Sequence, residues 1–411
     1  MLLQGTGVNL IAAGATTLAS VFVSLAVARH LGREGLGLLS VCLTAVMIGS
    51  LVADLGLDSL ILRVFAPGQI SACPSLQRIL RMKLAGSGLL AIVAVCSLFA
   101  AVPTQATLFI PAALILLPRG MSSALEAFAK ARSLRRILVL ASVTTGLFLV
   151  GGVFTGLAIG WNVSQILLFL FAVESAKALG LTVLLLPKAP RTDGGGWSKL
   201  VRESIPFGFI GVIGAVMARS DLLLIGSLRD AAEAGVFSAA DRMLAAGNLV
   251  AFALYGASVP VFSAITDRTL RHETVRRSTV IALAIASVAA LLLSVAAPLL
   301  TRATFSFEES VAVLRILSWT LPPLLVNTLV GSALFSHHQE RTIMAVLGVA
   351  CLLNIGLNLL VIPRFGAMGA AMVSLGTEWG ITLAYGAVYI TLGKQQLVSP
   401  GHRPIVDGRE T

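Results

Sequence analysis

Apolar residues come in long runs separated by short polar stretches. The runs predict twelve helices, at 8–27, 36–55, 84–102, 106–128, 138–159, 164–186, 206–228, 237–263, 279–300, 311–335, 343–362 and 369–392. Each has about 20 residues or more, enough at ~1.5 Å per residue to cross a hydrocarbon core of ~30 Å, and a helix satisfies its own backbone polar groups there. The roughly ten-residue alternation of a membrane barrel is absent. Pro111, Pro118, Pro206, Pro260 and the Pro322–Pro323 pair fall in or at the ends of these helices and predict kinks or breaks.

The pattern resembles itself at an offset of about 200 residues. LGREGLGLLS at 31–40 is echoed by LRDAAEAGVFS at 228–238. Near the end of each half a basic residue (Arg136 or Arg341), a span, a short loop and another span lead to an acid at matching depth, Glu174 or Glu378. Six spans per half in one orientation imply parallel repeats about an axis along the membrane normal, with a cavity between them. The expected fold is an all-α integral membrane protein with two six-helix bundles, at 1–187 and 203–393. A polar, Gly-rich cytoplasmic linker at 188–202 joins them, and a disordered cytoplasmic tail follows at 394–411.

Composition agrees: 57% of residues are hydrophobic and 12% charged, with mean hydropathy +0.93. In a soluble chain the net charge of +11 would point to nucleic acid, but here the cations mark topology. Alternate loops on one side carry twenty of the thirty Lys and Arg, including clusters at Arg78–Lys83, Lys130–Arg136 and Arg268–Arg277; the other side carries Arg29, Arg33, Arg229, Arg302 and Arg364. By the positive-inside rule both termini lie in the cytoplasm. The first apolar run is of full span length and lacks a basic leader, so it reads as a retained span. Cys42, Cys73, Cys96 and Cys351 are scattered, and the five His lie near loops or termini, so neither set has metal-ligand spacing.

Charges kept within spans are the candidate chemistry, since each costs about 2.5–3.5 kcal/mol at the bilayer centre on insertion scales. Arg219 and Asp221 are two apart and face different sides of their helix. Arg219 is either a cavity arginine offering a planar fork to anionic oxygens or one end of a bridge to another helix, such as to Asp241. Arg119 is open to the same two readings, and Arg242 and Arg315 are shallower. Glu174 and Lys177, three apart, either neutralise each other or serve coupling and substrate separately. Asp54 and Asp58 share a face and read as a solvated helix end or as a proton-coupling pair. Glu126 and Lys130 read as a structural pair. Gly152, Gly156 and Gly160 suit close helix packing.

VARHLGREGLGLLSV at 27–41, DLGLDSLILR at 54–63, RSDLLLIGSL at 219–228 and AAEAGVFSAADRM at 231–243, set in twelve spans, resemble the polysaccharide transporter family. These are the Wzx-type O-antigen flippases and exporters of the multidrug/oligosaccharidyl-lipid/polysaccharide (MOP) superfamily, and the likeness runs from about Gly5 to Gly393. It implies two bundles in a V that open alternately, and a lipid-linked oligosaccharide on undecaprenyl diphosphate moved across a bacterial inner membrane. It also implies coupling to a proton or sodium gradient, with no bound cofactor. The expected substrate-binding residues are Arg219, Arg119, Lys177 and Arg242, and the expected ion-coupling residues are Glu174, Glu378, Asp221, Asp54 and Asp58. Besides the lipid-linked oligosaccharide, membrane lipids and a polysaccharide polymerase or ligase are the expected partners, and nucleic acid is not. A multidrug or small-cation exporter of the same superfamily is the alternative. A membrane-embedded glycan-processing enzyme fits less well, because the expected outer loops are too short for a catalytic cluster. At 6% aromatic residues, the chain offers few stacking platforms for sugars.

Overall fold

The computed structural model describes residues 2–65, 75–101, 106–188, 197–337 and 339–398. Among them there are thirteen α-helices and no strand: α1 (Leu2–Asp54), α2 (Leu57–Val64), α3 (Leu76–Ala101), α4 (Ala106–Ala131), α5 (Arg135–Ala158), α6 (Val163–Leu185), α7 (Trp197–Leu228), α8 (Ala231–Met243), α9 (Ala245–Ala264), α10 (Arg268–Ala303), α11 (Glu309–Ser318), α12 (Leu321–Ser336) and α13 (Glu340–Val398). Among the described residues ten helical stretches are long and apolar enough to cross a membrane. Two of them are double spans, folded back at Gly32 (φ 68°) in α1 and at Gly366 (φ 55°) in α13, which restores the predicted twelve.

Some boundaries differ from expectation. The span expected at 311–335 is broken between α11 and α12, just before Pro322–Pro323 as the prolines predict. The span expected at 237–263 is also broken, at Leu244, where no proline signals it. Pro111, Pro118 and Pro260 sit inside helices that continue through them. Helix α7 begins inside the expected linker, of which 189–196 lie outside the described residues. Helix α13 runs past the expected start of the tail, of which 399–411 lie outside them.

Helices α1–α6 form one lobe and α7–α13 the other, as two six-span bundles related by a pseudo-two-fold. The end bearing the start of α1, the end of α13 and most loop cations is the basic end, and the opposite one the far end. Apolar clusters fill each lobe, around Leu36, Leu116 and Ile166 in the first and around Ile225, Leu314 and Leu329 in the second. Large apolar side chains such as Leu147, Phe148, Leu299 and Leu383 stay exposed on the rim, where lipid covers them.

The lobes are latched at the far end. Helix α1 crosses α8 so closely that a Cβ on Gly37 would lie 1.7 Å from the Ala231 carbonyl oxygen, and one on Gly235 would lie 1.9 Å from that of Arg33. Ser40 Oγ meets Ser238 Oγ at 2.7 Å. Arg29 donates to the carbonyls of Ala303 (2.7 Å) and Thr304 (3.2 Å), and Arg33 pairs with Glu309 at 2.6 Å. Phe305 and Phe307, on the second lobe's α10–α11 loop, pack into the first lobe's core. Toward the basic end Leu18 and Phe22 of α1 and Val250 and Phe252 of α9 are exposed, and the lobes touch again where Gly208 of α7 seats against the Leu55–Gly56 break.

Gly37→Val overpacks the far-end crossing and disfavours its closed form by about 1–3 kcal/mol. A Ser40→Cys/Ser238→Cys pair, in a background without the native cysteines, is expected to crosslink on oxidation and to lose most of that crosslinking when Gly37→Val is added. Undiminished crosslinking would show that the crossing tolerates a side chain.

Candidate transport site

The deep polar groups fall into three sets. The first lies in the basic half of the first lobe. Lys83 of α3 is 1% exposed, with Nζ 2.7 Å from Asp54 Oδ1, in contact with Asp58, and 2.7 Å from Ser123 Oγ. Asp54 also accepts from the Asp58 backbone N–H at 3.2 Å, which ties the end of α1 to the start of α2. On a neighbouring face of α4, Glu174 accepts from Ser122 at 3.3 Å and pairs with Arg119 (3.7 Å) and Lys177 (3.8 Å), while Lys177 reaches Glu126 at 2.6 Å. Four acids and three cations therefore neutralise one another almost completely within this lobe.

Two sequence-based readings change here. Asp54 is buried rather than a solvated helix end, because Lys83, counted among the loop cations, folds inward between the two aspartates. Glu126 pairs with Lys177, leaving Lys130 exposed. Removing one partner of a buried ion pair costs about 3–5 kcal/mol. Lys83→Met is thus expected to lower the thermal midpoint sharply in detergent, and the triple variant Asp54→Asn/Asp58→Asn/Lys83→Met to recover most of it. A Lys83→Met midpoint equal to wild type would refute this role.

The second set lies where the lobes meet. Arg219 of α7 donates to Asp241 of α8 at 2.6 Å, and about one third of its side chain remains exposed. Arg242, in the last turn of α8, is hydrogen-bonded across the lobe boundary to Ser20 of α1. Its position suits the negative end of that helix dipole, and the break at Leu244 ends α8 just beyond it. Arg219 holds the one carboxylate, Asp241, and Arg242 has none within ion-pair distance, so these three groups carry a net charge of +1. Of the four expected substrate-binding residues, Arg219 and Arg242 meet here; Arg119 and Lys177 stay apart, paired within the first lobe.

The third set fills the second lobe and contains no cation. Asp221 Oδ1 accepts from Asn358 at 2.7 Å, and its other oxygen accepts from Ser374. Asn358 also donates to Asn354 Oδ1 (3.0 Å), which accepts from Ser220 (3.3 Å), while Asn354 donates to Thr377 (3.3 Å). Farther along α13, Glu378 accepts from Asn327 at 2.9 Å, and Thr382 donates to Asn327 Oδ1 at 2.8 Å. The Asn358 Oδ1 oxygen is buried without a partner. Of the expected ion-coupling residues, Asp221 and Glu378 lie here without a paired cation. Asp54, Asp58 and Glu174 are neutralised in the first lobe.

Lys83, Asn327, Asn354, Asn358, Ser374 and Ser20 also belong to these sets, and the depth of charged residues along the chain does not mark them. A polar i, i+4 pattern within apolar spans, as in Asn354–Asn358 and Ser374–Glu378–Thr382, is the signal that would have found most of them. Two of the three tyrosines lie together: Tyr385 is buried in the second lobe's basic half, and Tyr389, one turn along, stacks on His272 with centroids 5.4 Å apart.

Two lobes of six spans, with cations at their boundary and acids without ion-pair partners inside one, define a multi-pass membrane protein with a polar seam between its lobes. The sequence profile of the family described as "Polysaccharide biosynthesis protein" matches residues 2–266, and the chain belongs to that family. No curated protein sequence matches it. Its fold is similar to that of a multidrug resistance MATE family transporter of the MOP superfamily, solved in an inward-facing conformation (TM-score 0.73, 14% identity, covering 93% of this chain and 96% of that one). It is also similar to the lipid II flippase MurJ in an inward closed conformation (TM-score 0.70, 13% identity, 96% and 93%). A third similar structure is a MOP superfamily transporter from Pyrococcus furiosus, described as having a binding pocket of reverse polarity (TM-score 0.66, 14% identity, 97% and 95%).

Proposed function

We propose that this protein is a flippase for an anionic lipid-linked oligosaccharide, such as one carried on undecaprenyl diphosphate, across the bacterial cytoplasmic membrane. The observation that carries this reading is the net cationic cluster of Arg219, Arg242 and Asp241 at the lobe boundary, within a chain of a polysaccharide biosynthesis family. A diphosphate cannot cross hydrocarbon unaided, whereas guanidinium groups in a wet crevice can hold it while the lipid tail stays in the bilayer. The substrate is moved unchanged, so the protein is not an enzyme. With the basic end cytoplasmic, the latched far end faces outward, as the closed end of the inward-facing MATE structure it resembles would. A polymerase or ligase on the outer side would consume the product.

The cation-free set in the second lobe supports coupling to an ion gradient. Asp221, the orphaned Asn358 oxygen, Asn354 Oδ1 and Ser374 Oγ are the hard oxygen donors a sodium ion takes, and Asp221 can equally take a proton. The same uncompensated acids favour a second reading, export of small organic cations.

Translocation of a labelled undecaprenyl-diphosphate oligosaccharide in proteoliposomes, with and without a proton or sodium gradient, tests both. Protein-dependent, gradient-sensitive movement is the expected result. No movement of such lipids, together with efflux of a cationic dye, would replace the first reading by the second.

A further inference from the structure

Helices α5 and α6 are pinned together at the far end, where Gly152 lies against Phe169 and Gly156 against Trp161, and between them runs an apolar groove. It encloses about 510 Å³. Leu140, Thr144 and Phe148 form one wall, each a turn beyond the last along α5. Ala172, Ala176 and Gly180 form the floor on α6, and these small side chains leave the width open. Lys177 also lines the groove while its ammonium reaches Glu126, so it presents its methylene stem. Leu140 and Phe148 are 63% and 70% exposed, which places the groove on the outer surface of the lobe.

Each wall ends in a cation at the basic end. Arg136 is one turn before Leu140 on the same stripe, and Lys188 follows four residues beyond Leu184, another lining residue. Both are exposed, and neither makes an ion pair among the described residues. The stripe from Arg136 to Phe148 is ~18 Å long at 1.5 Å per residue. One leaflet of the hydrocarbon core is ~15 Å deep, so the groove matches the acyl chain of a lipid in the leaflet at the basic end, with its headgroup level with the two cations.

We propose that the α5–α6 groove is a binding site for an anionic glycerophospholipid, with one acyl chain along the groove and the phosphate held by Arg136 and Lys188. The site is separate from the lobe boundary and independent of what the protein transports. The match to a single leaflet favours an acyl chain over a long polyprenyl chain, which would overrun the groove. A bound chain shields the Lys177–Glu126–Glu174 ion pairs from water and so stiffens the first lobe.

The test uses the full-length protein reconstituted in equimolar phosphatidylglycerol and phosphatidylcholine, and separately in phosphatidylglycerol with undecaprenyl phosphate, extracted mildly and examined by native mass spectrometry for retained lipid. Wild type is expected to retain phosphatidylglycerol preferentially. Arg136→Ala/Lys188→Ala is expected to lower that preference by about thirtyfold, at roughly fivefold per cation. Gly180→Leu, at a position with no atom within 4 Å of the added Cβ, fills the groove without disturbing the fold and is expected to remove retention of either lipid there. The same lipid ratio in wild type and the double variant, undiminished retention in Gly180→Leu, or preference for undecaprenyl phosphate over phosphatidylglycerol would each overturn the assignment.

Discussion

Arg242→Gln is expected to insert and fold normally and to lose lipid-linked oligosaccharide translocation by about tenfold to a hundredfold, the equivalent of one or two charge-assisted hydrogen bonds. Arg242 has no carboxylate partner within ion-pair distance among the described residues; its contact is the Ser20 hydroxyl across the lobe boundary. Its loss therefore leaves no acid unpaired and removes a cation where the lobes must separate. Arg219→Gln should have a similar effect for a less simple reason, because it leaves Asp241 without its 2.6 Å partner. Arg219→Gln/Asp241→Asn separates the two causes. If Arg219 serves only to hold Asp241, the neutral pair regains transport; if it holds the substrate's phosphate, the pair stays inactive. Normal flux through a stably inserted Arg242→Gln protein would remove the cationic boundary from the mechanism.

The fold was legible because lipid imposes a simple rule: a run of apolar residues long enough to span must be a helix, and short polar gaps must be turns. The repeat at 31–40 and 228–238 also marked the far-end crossing, where Gly37 and Gly235 bring the lobes into contact. The break at Leu244 was not legible, since nothing local forbids a helix there. The reach of Lys83 was hidden too: a lysine near a span end reads as a topology signal unless its partners in space, Asp54 and Asp58, are known. The site was half legible. Depth identified Arg219, Asp221 and Glu378 as costly to bury, but it could not tell a charge paired within its lobe, such as Glu174, from one held only by neutral hydrogen-bond partners, such as Asp221. That distinction depends on helix packing, which the pattern along the chain does not encode.

Asp221→Asn is expected to abolish the effect of an ion gradient while sparing movement of substrate down its own gradient. The amide keeps the shape of the carboxylate and can still accept from Asn358 or Ser374, so the packing of α7 against α13 survives. The negative charge is lost, and no other acid lies within this hydrogen-bonded set to replace it. One elementary charge moving across 100 mV supplies about 2.3 kcal/mol, so losing one coupled charge should lower substrate accumulation at that potential by about fiftyfold. Glu174→Gln provides the contrast. Its carboxylate is already shared by Arg119 and Lys177, so the change should alter stability and leave gradient dependence in place. Proteoliposomes tested with sodium and proton gradients separately identify the ion, because only the coupled gradient loses its effect in Asp221→Asn. Equal gradient dependence in wild type and Asp221→Asn would move coupling out of this set, and Glu378 of α13, held by Asn327 of α12, would be the next acid to neutralise.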